Sequence, residues 1–304
     1  MPLLILLLFA LSCSRTSPAP EQAKAGQKKV REGSFVIAIL PEQNVFEQKR
    51  RYKPLAEYLS NALNTNVKIK LLDSYGAIYD EIKNGNIDGA FFGSFNYVVA
   101  KARMNIEPIA RPVEMDGSSS YRSVIFARTD ARLTPNISTW RGKRLALVHE
   151  VTTAGYIFPR WYLRRHGANN FDTYFGRIIF TGSHDAAVIA VYKGYADLGA
   201  AKDDVYKKIL AENPAIRGEI SIIANSIEVP SNSLCVRGDL NPSSRETLKK
   251  ILLSMHKAPG AAGALKQLEA ISFTETTDAE FDALRKMTQE VGIDPLTYHF
   301  KDIQ

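Results

Sequence analysis

The sequence predicts an α/β protein built as two βαβαβ lobes joined by a two-strand hinge, and three observations lead there. From Phe35 onward, short apolar runs of strand length alternate with stretches whose apolar residues recur at helical spacing. The alternation occurs twice, at a constant offset of 109 residues. The 304 residues, 45% hydrophobic and 23% charged, suffice for two ordinary domains and exclude a disordered or fibrous chain.

In the first copy, Phe35 to Leu40 reads as a strand, Lys53 to Asn64 as a helix with Leu55, Tyr58, Leu59 and Leu63 on one face, and Val67 to Leu72 as a strand. Ala77 to Asn84 is a second helix and Asp88 to Phe92 a third strand. After a strand at Ser123 to Arg128, the second copy supplies strands Arg144 to His149, Arg177 to Thr181 and Asp197 to Ala201, with helices Ala154 to His166 and Ala186 to Tyr192 between them. At the common offset Ile69 meets Ile178, Ser74 meets Ser183, Ala77 meets Ala186, Gly85 meets Gly194 and Asp88 meets Asp197. Repeats of this length are domains rather than solenoid units. In the closing third, Glu219 to Asn225 and Leu234 to Arg237 are strand-like, and Ser243 to His256, Ala261 to Leu268 and Asp278 to Val291 are helical. Met255, Phe273, Phe281 and Leu284 are expected in the core. Crossings near Val124 to Arg128 and Ile220 to Asn225 would form the hinge, with one lobe of residues 34–124 plus 226–304 and another of 125–225.

The one long apolar run, Leu3 to Leu11, is too short to span a bilayer. It ends in Ala10-Leu11-Ser12-Cys13, the pattern of a bacterial lipoprotein signal, although Ala10 stands where Leu is commonest and no Lys or Arg precedes the run. Residues 1–12 are therefore expected to be a signal peptide, Cys13 the lipidated first residue, and 13–33 a polar tether reaching roughly 25 Å. Cys235 is then the one remaining thiol and reads as a small buried hydrophobe in a strand. The net charge of +7 comes without the basic block of a nucleic-acid arm, and a modest positive field suits a small anionic partner.

Parallel βαβ lobes place ligands beyond the carboxyl ends of their strands. There, Leu71-Leu72-Asp73-Ser74-Tyr75-Gly76 and Phe180-Thr181-Gly182-Ser183-His184-Asp185 each leave a strand and start a helix, so the offset pairs Tyr75 with His184. Val148 to Tyr156 leaves another strand with Thr152 and Thr153 ahead of a helix. Hydroxyls, free N–H groups and the positive end of a helix dipole make such junctions anion sites. Thr152, Thr153 and Ser183 also read as ordinary helix caps; their coincidence in two lobes favours binding. Ser183-His184-Asp185 holds the residue types of a hydrolase triad, but a triad is assembled by geometry rather than adjacency. There is no G-x-S-x-G or H-E-x-x-H, and His149, His166, His184, His256 and His299 lack metal-ligand spacing, so no metal or cofactor is expected.

Several segments together resemble the phosphonate-binding proteins of ABC transporters, within the type 2 periplasmic-binding-protein superfold. They are Tyr52 to Leu59, Gly85 to Gly93, Tyr121-Arg122-Ser123-Val124, Thr152 to Tyr156 with Pro159, and Gly182 to Ala187. The resemblance is strong from Phe35 to Asp204 and weaker beyond. It implies that Thr152, Thr153 and His184 bind an oxyanion while Tyr75 and Tyr121 close over it from the other lobe; Ala154 stands where the family motif has a third hydroxyl. Aminoalkylphosphonate binders of the family hold the ligand ammonium with acidic residues from later loops. The aligned positions here are Asp203 and Asn232, one of them uncharged, which favours phosphate, phosphite or a simple alkylphosphonate. Asp185 reads either as a ligand contact or as a first-turn helix acid. The implied protein is a lipid-anchored, extracytoplasmic receptor that delivers its ligand to an ABC permease and is not an enzyme. The alternative is a sensor ectodomain of the same fold that signals through a separate membrane partner.

Overall fold

The computed structural model describes residues 33–301. The expected signal peptide, Cys13 and all of the tether but Gly33 lie outside the described residues. The chain runs through β1 (Ser34–Ile39), α1 (Val45–Leu63), β2 (Asn66–Leu71), α2 (Ala77–Lys83), β3 (Gly89–Phe92), α3 (Ser94–Arg103) and β4 (Ile106–Glu114). It continues through β5 (Ser120–Arg128), β6 (Arg144–Leu147), α4 (Phe158–Arg165), α5 (Phe171–Tyr174), β7 (Arg177–Phe180), α6 (His184–Tyr192), β8 (Leu198–Lys202), α7 (Asp203–Glu212) and β9 (Ile220–Pro230). It closes with β10 (Ser233–Arg237), α8 (Pro242–Ser254), α9 (Ala262–Gln267), β11 (Ala270–Glu275) and α10 (Asp282–Glu290).

Two mixed sheets result. The first has the order β11-β4-β10-β3-β1-β2 and the second β7-β6-β8-β5-β9. In each, three parallel strands (β3-β1-β2 and β8-β6-β7) carry βαβ crossovers. Parallel strands are buried on both faces, and β1 shows it: Ile37 and Ile39 pack with Leu55 and Leu59 of α1, while Val36 and Ala38 pack with Ile78 and Ile82 of α2. Met255, Phe273, Phe281 and Leu284 are buried as expected, and so is Cys235.

The expected crossings, Val124 to Arg128 and Ile220 to Asn225, lie inside β5 and β9, which pair with each other in the second sheet. The chain changes sheets between Glu114 and Ser120 and returns between Pro230 and Ser233. These two passages are joined directly: the Ser231 N–H donates to the Ser119 carbonyl at 3.0 Å, and Arg111 Nε donates to the same oxygen at 2.8 Å. The C-terminal segment reaches the second half as well, since Trp161 Nε1 donates to Glu290 at 2.7 Å and the Tyr298 hydroxyl to the Glu150 carbonyl at 3.1 Å.

Local chemistry explains the elements that differ from expectation. Helix α1 begins at Val45, not Lys53, because the Asn44 side chain caps the N–H groups of Phe46 and Glu47; Pro54 then sits in the helix interior. Helix α3 is unannounced because Ser94 through Ala100 are all buried, leaving no polar face to mark its period. Strand β4 contains Pro108 and Pro112, which argue against a strand, and its pairings to β10 and β11 each carry a register shift. The helix expected from Ala154 opens as a π turn over Thr153–Ile157 before α4.

Candidate functional site

Three helix starts meet where the two sheets face each other. From the first sheet comes the start of α3, where Gly93 leaves β3. From the second come the π turn that begins at Thr153 and the start of α6, where the Ser183 hydroxyl accepts from the Ala186 N–H. The contact between the sheets is direct: the Phe95 N–H, in the first turn of α3, donates to Thr153 Oγ1 at 2.9 Å. The turn is tight because Gly155 packs on Val148, where an added Cβ would come within 2.4 Å of the Val148 side chain. π turns of this kind recur at functional sites.

Six of the eight residues expected to touch ligand, Tyr75, Tyr121, Thr152, Thr153, His184 and Asn232, are buried, whereas Asp185 and Asp203 are partly exposed. Thr152 spends its hydroxyl proton on the His149 carbonyl at 2.7 Å, so it shapes the loop and leaves Thr153 as the hydroxyl between the sheets. Tyr121 belongs to the second sheet, at the start of β5, rather than to the opposite lobe; its ring is buried and packs with Ala154 of the π turn and Val229 of β9. Tyr75 does come from the first half, and its ring stacks on His149 at 5.4 Å. Its buried hydroxyl has no hydrogen-bond partner, an uncommon condition that marks strain or a ligand contact. Burial first, then the carboxylates of Glu42 and Asp185, push that phenol well above its usual range, so it remains a donor.

His184 Nδ1 accepts from the backbone N–H of Lys202 at 3.3 Å, which leaves Nε2–H as the donor of a neutral ring. Burial, and after it the charge of Lys202, hold the imidazole down to about 3 against the opposing pull of Glu42. A neutral donor adds no charge of its own to the site. Asp185 is tied elsewhere: Oδ2 accepts from the Asn44 N–H at 3.1 Å, Oδ1 from the Ala186 N–H at 2.8 Å, and Ser183 Oγ also donates to Oδ1. Asp203 opens α7 with Oδ1 on the Arg122 N–H at 2.9 Å and Oδ2 on Lys207 at 2.6 Å. Both carboxylates are thus committed to neighbouring chain.

Two residues that sequence reasoning missed stand at the centre. Lys202, the last residue of β8, donates from Nζ to Glu42 Oε1 at 2.8 Å and to Asn232 Oδ1 at 2.7 Å, and Nζ lies 4.8 Å from the centre of the Tyr121 ring. Burial opposes both charges, yet the pair keeps itself ionised: Lys202 is raised by Glu42, and Glu42 is lowered by Lys202. The available signal was the repeat, since the 109-residue offset sets Lys202 against Gly93 at the end of β3. Among the described residues, no cluster of His, Cys, Asp or Glu is arranged to hold a metal ion, and no helix is long and apolar enough to cross a membrane.

Comparison with known proteins agrees with this architecture. A family model described as "ABC transporter, phosphonate, periplasmic substrate-binding protein" matches residues 37–281. The Phosphate-import protein PhnD of Mycolicibacterium smegmatis is 23% identical over 302 residues, covering 94% of this chain and 93% of that protein. The Phosphonates-binding periplasmic protein of Escherichia coli is 22% identical over 284 residues, covering 92% and 81%. Among solved structures, PhnD1 of Prochlorococcus marinus in complex with methylphosphonate matches with a TM-score of 0.76 at 21% identity, covering 86% of this chain and 98% of that one. XAC2383 of Xanthomonas citri bound to ATP matches with a TM-score of 0.71 at 19% identity, covering 86% and 97%. These likenesses establish the type 2 periplasmic-binding-protein fold. With the family model spanning β1 to the turn before α10, the chain belongs to the phosphonate family of periplasmic substrate-binding proteins of ABC transporters, which are receptors and not enzymes.

Proposed function

We propose that this protein captures a phosphorus oxyanion, phosphonate, phosphite or phosphate, between its two sheets and hands it to an ABC permease while held at the membrane by a lipid on Cys13. The observation that carries the reading is the meeting of α3 and the π turn through Phe95 and Thr153, with Tyr121 packed on Ala154 of that turn and Tyr75 contributing a buried, unpartnered hydroxyl. A tetrahedral oxyanion needs several donors converging from different directions. Helix N–H groups, Thr153, Tyr75, Tyr121 and neutral His184 supply them from both halves. Relatives named for phosphate import and phosphonate binding, and a neighbour holding methylphosphonate, support the ligand class. Rotation about 115–119 and 231–232 would open and close the site, presenting the permease with a different surface in each position. The anchor rests on the Ala10-Leu11-Ser12-Cys13 pattern.

Calorimetry with phosphate, phosphite, methylphosphonate and sulfate tests the assignment. One phosphorus oxyanion is expected to bind without turnover, and Thr153→Val should weaken it about 10- to 100-fold, the worth of one hydrogen bond to a charged oxygen. A Thr153→Val protein that binds as tightly as the parent would remove the site assignment.

A further inference from the structure

The Lys202 side chain is 7% exposed, and groups from three separate segments surround its ammonium. Glu42 follows β1, Asn232 lies in the return passage between the sheets, and Tyr121 begins β5. A carboxylate, an amide oxygen and an aromatic face are what an ammonium needs once it leaves water. Asp204, partly exposed and beyond ion-pair distance, adds a further carboxyl to the surroundings of the same charge. We infer that this cage is an ammonium subsite which the chain fills with its own lysine, so that the adjoining oxyanion site accepts phosphorus oxyanions that carry no amine.

The inference rests on the proposed phosphorus-oxyanion reading and narrows its ligand class. Cage and oxyanion donors share residues. The Tyr121 ring faces Lys202 and packs on Ala154 of the π turn that carries Thr153, and the His184 ring accepts from the Lys202 backbone. An amine held on a short arm by a bound phosphonate would therefore enter the volume that Lys202 occupies, and would leave one of two ammonium groups displaced and poorly paired. Gly93, the repeat-related position, looks onto the same two oxygens. A Cβ there would lie 3.7 Å from Asn232 Oδ1 and 3.8 Å from Glu42 Oε1, so the two repeat-related positions face the same oxygens and one alone carries a side chain.

Truncating the lysine vacates four heavy atoms, Cγ, Cδ, Cε and Nζ, against the three of an aminoethyl arm. The full chain, its Lys202→Ala variant and the double variant Lys202→Ala/Glu42→Gln are titrated with methylphosphonate and 2-aminoethylphosphonate, and melted with and without ethylammonium chloride. The parent should bind the amine at least ~10-fold more weakly than methylphosphonate, and Lys202→Ala should reverse that preference by ~10-fold or more. Ethylammonium should raise the melting temperature of Lys202→Ala, or restore its folding if the variant is unfolded alone, without stabilising the parent or the double variant. Ethylammonium-independent behaviour together with an unchanged ligand preference in Lys202→Ala would overturn the subsite and leave the oxyanion reading standing. Failure of every variant to bind either phosphonate would overturn the oxyanion reading and with it the ligand selectivity inferred here.

Discussion

The two halves of the chain are laid out on one plan, and the positions where they agree do a different job from the positions where they part. Ser74 and Ser183 each accept from the N–H three residues on, at 3.2 and 3.4 Å. Gly85 and Gly194 each turn the chain with positive φ, 67° and 74°. Asp88 and Asp197 each accept a backbone N–H from the neighbouring parallel strand at 2.8 Å, from Val36 and Arg144. Helices α3 and α7, at Ser94–Arg103 and Asp203–Glu212, fall in register at the same offset. The differences cluster where the two sheets meet, with Tyr75 set against His184 and Gly93 against Lys202. Shared residues hold the scaffold; the chemistry lies where the copies diverge.

The sharpest way to break that comparison is at Gly93 and Lys202. Glu42→Gln would leave the Lys202 ammonium buried without a carboxylate, and removing one partner of a buried pair costs about 3–5 kcal/mol. Gly93→Ala adds a methyl at ordinary contact distance with φ already at −66°, and should stay within about 0.5 kcal/mol of the parent. Urea unfolding of both variants reads the difference. Similar losses would mean that the repeat-related positions are energetically alike.

Much of the scaffold was legible because caps, left-handed glycines and two-faced strands are local signals. The Gly85 and Asp88 pattern could be aligned with Gly194 and Asp197 without knowledge of pairing. Helix α3 was hidden because Phe95 to Ala100 are buried all round, and β4 because Pro108 and Pro112 contradict its strand. Sheet membership is a long-range property, so Tyr121 was assigned to the wrong side until the β5–β9 pairing was seen. In the site, Thr153 and the His184 junction were marked by strand-to-helix loops carrying donors and then by family resemblance, and Asn232 by the resemblance alone. Lys202 escaped because a lysine closing an alanine-rich strand reads as a surface residue, and its carboxylate partner is 160 residues away. No local pattern encodes that ion pair.

Acid should separate the second repeat-related pair. An unfolded histidine takes a proton near its ordinary value of 6.5, whereas folded His184 does so near 3. The unfolded state therefore binds more protons between those values, and stability is fully present above 6.5 and falls as the pH drops toward 3, by up to about 1.4 kcal/mol per unit. Glu114, which burial raises to about 7, acts with opposite sign between pH 6.5 and 5 in parent and variant alike, so unfolding measured across that range reads the His184 contribution as the difference: stability should fall less on acidification, or rise more, in His184→Gln than in the parent. Tyr75→Phe should leave the slope unchanged, because the Tyr75 phenol is pushed upward and does not titrate there. An unaltered slope in His184→Gln would show that another group carries the acid sensitivity.

The smallest effect tests whether the shared serines are scaffold alone. Ser183 is the N-cap of α6, and Ser74, two residues ahead of the Gly76 cap of α2, accepts from the first N–H of that helix; losing a serine that does this typically costs ~1 kcal/mol. The two should not cost the same. In the second half, Asp185 Oδ1 already accepts from the Ala186 N–H at 2.8 Å, shorter than the 3.4 Å bond from the same N–H to Ser183 Oγ, so the orphan donor keeps a partner when the hydroxyl is removed. Ser74→Ala should therefore cost ~1 kcal/mol and Ser183→Ala ~0.5 kcal/mol. Neither hydroxyl bridges the sheets as Thr153 does, so ligand affinity should change by no more than about twofold in either variant, well short of the tenfold that a lost anion contact would produce. Paired denaturation and calorimetry decide it. A tenfold loss of affinity in Ser183→Ala, with its stability nearly intact, would move that serine from the scaffold into the binding site and end the division between shared and divergent positions.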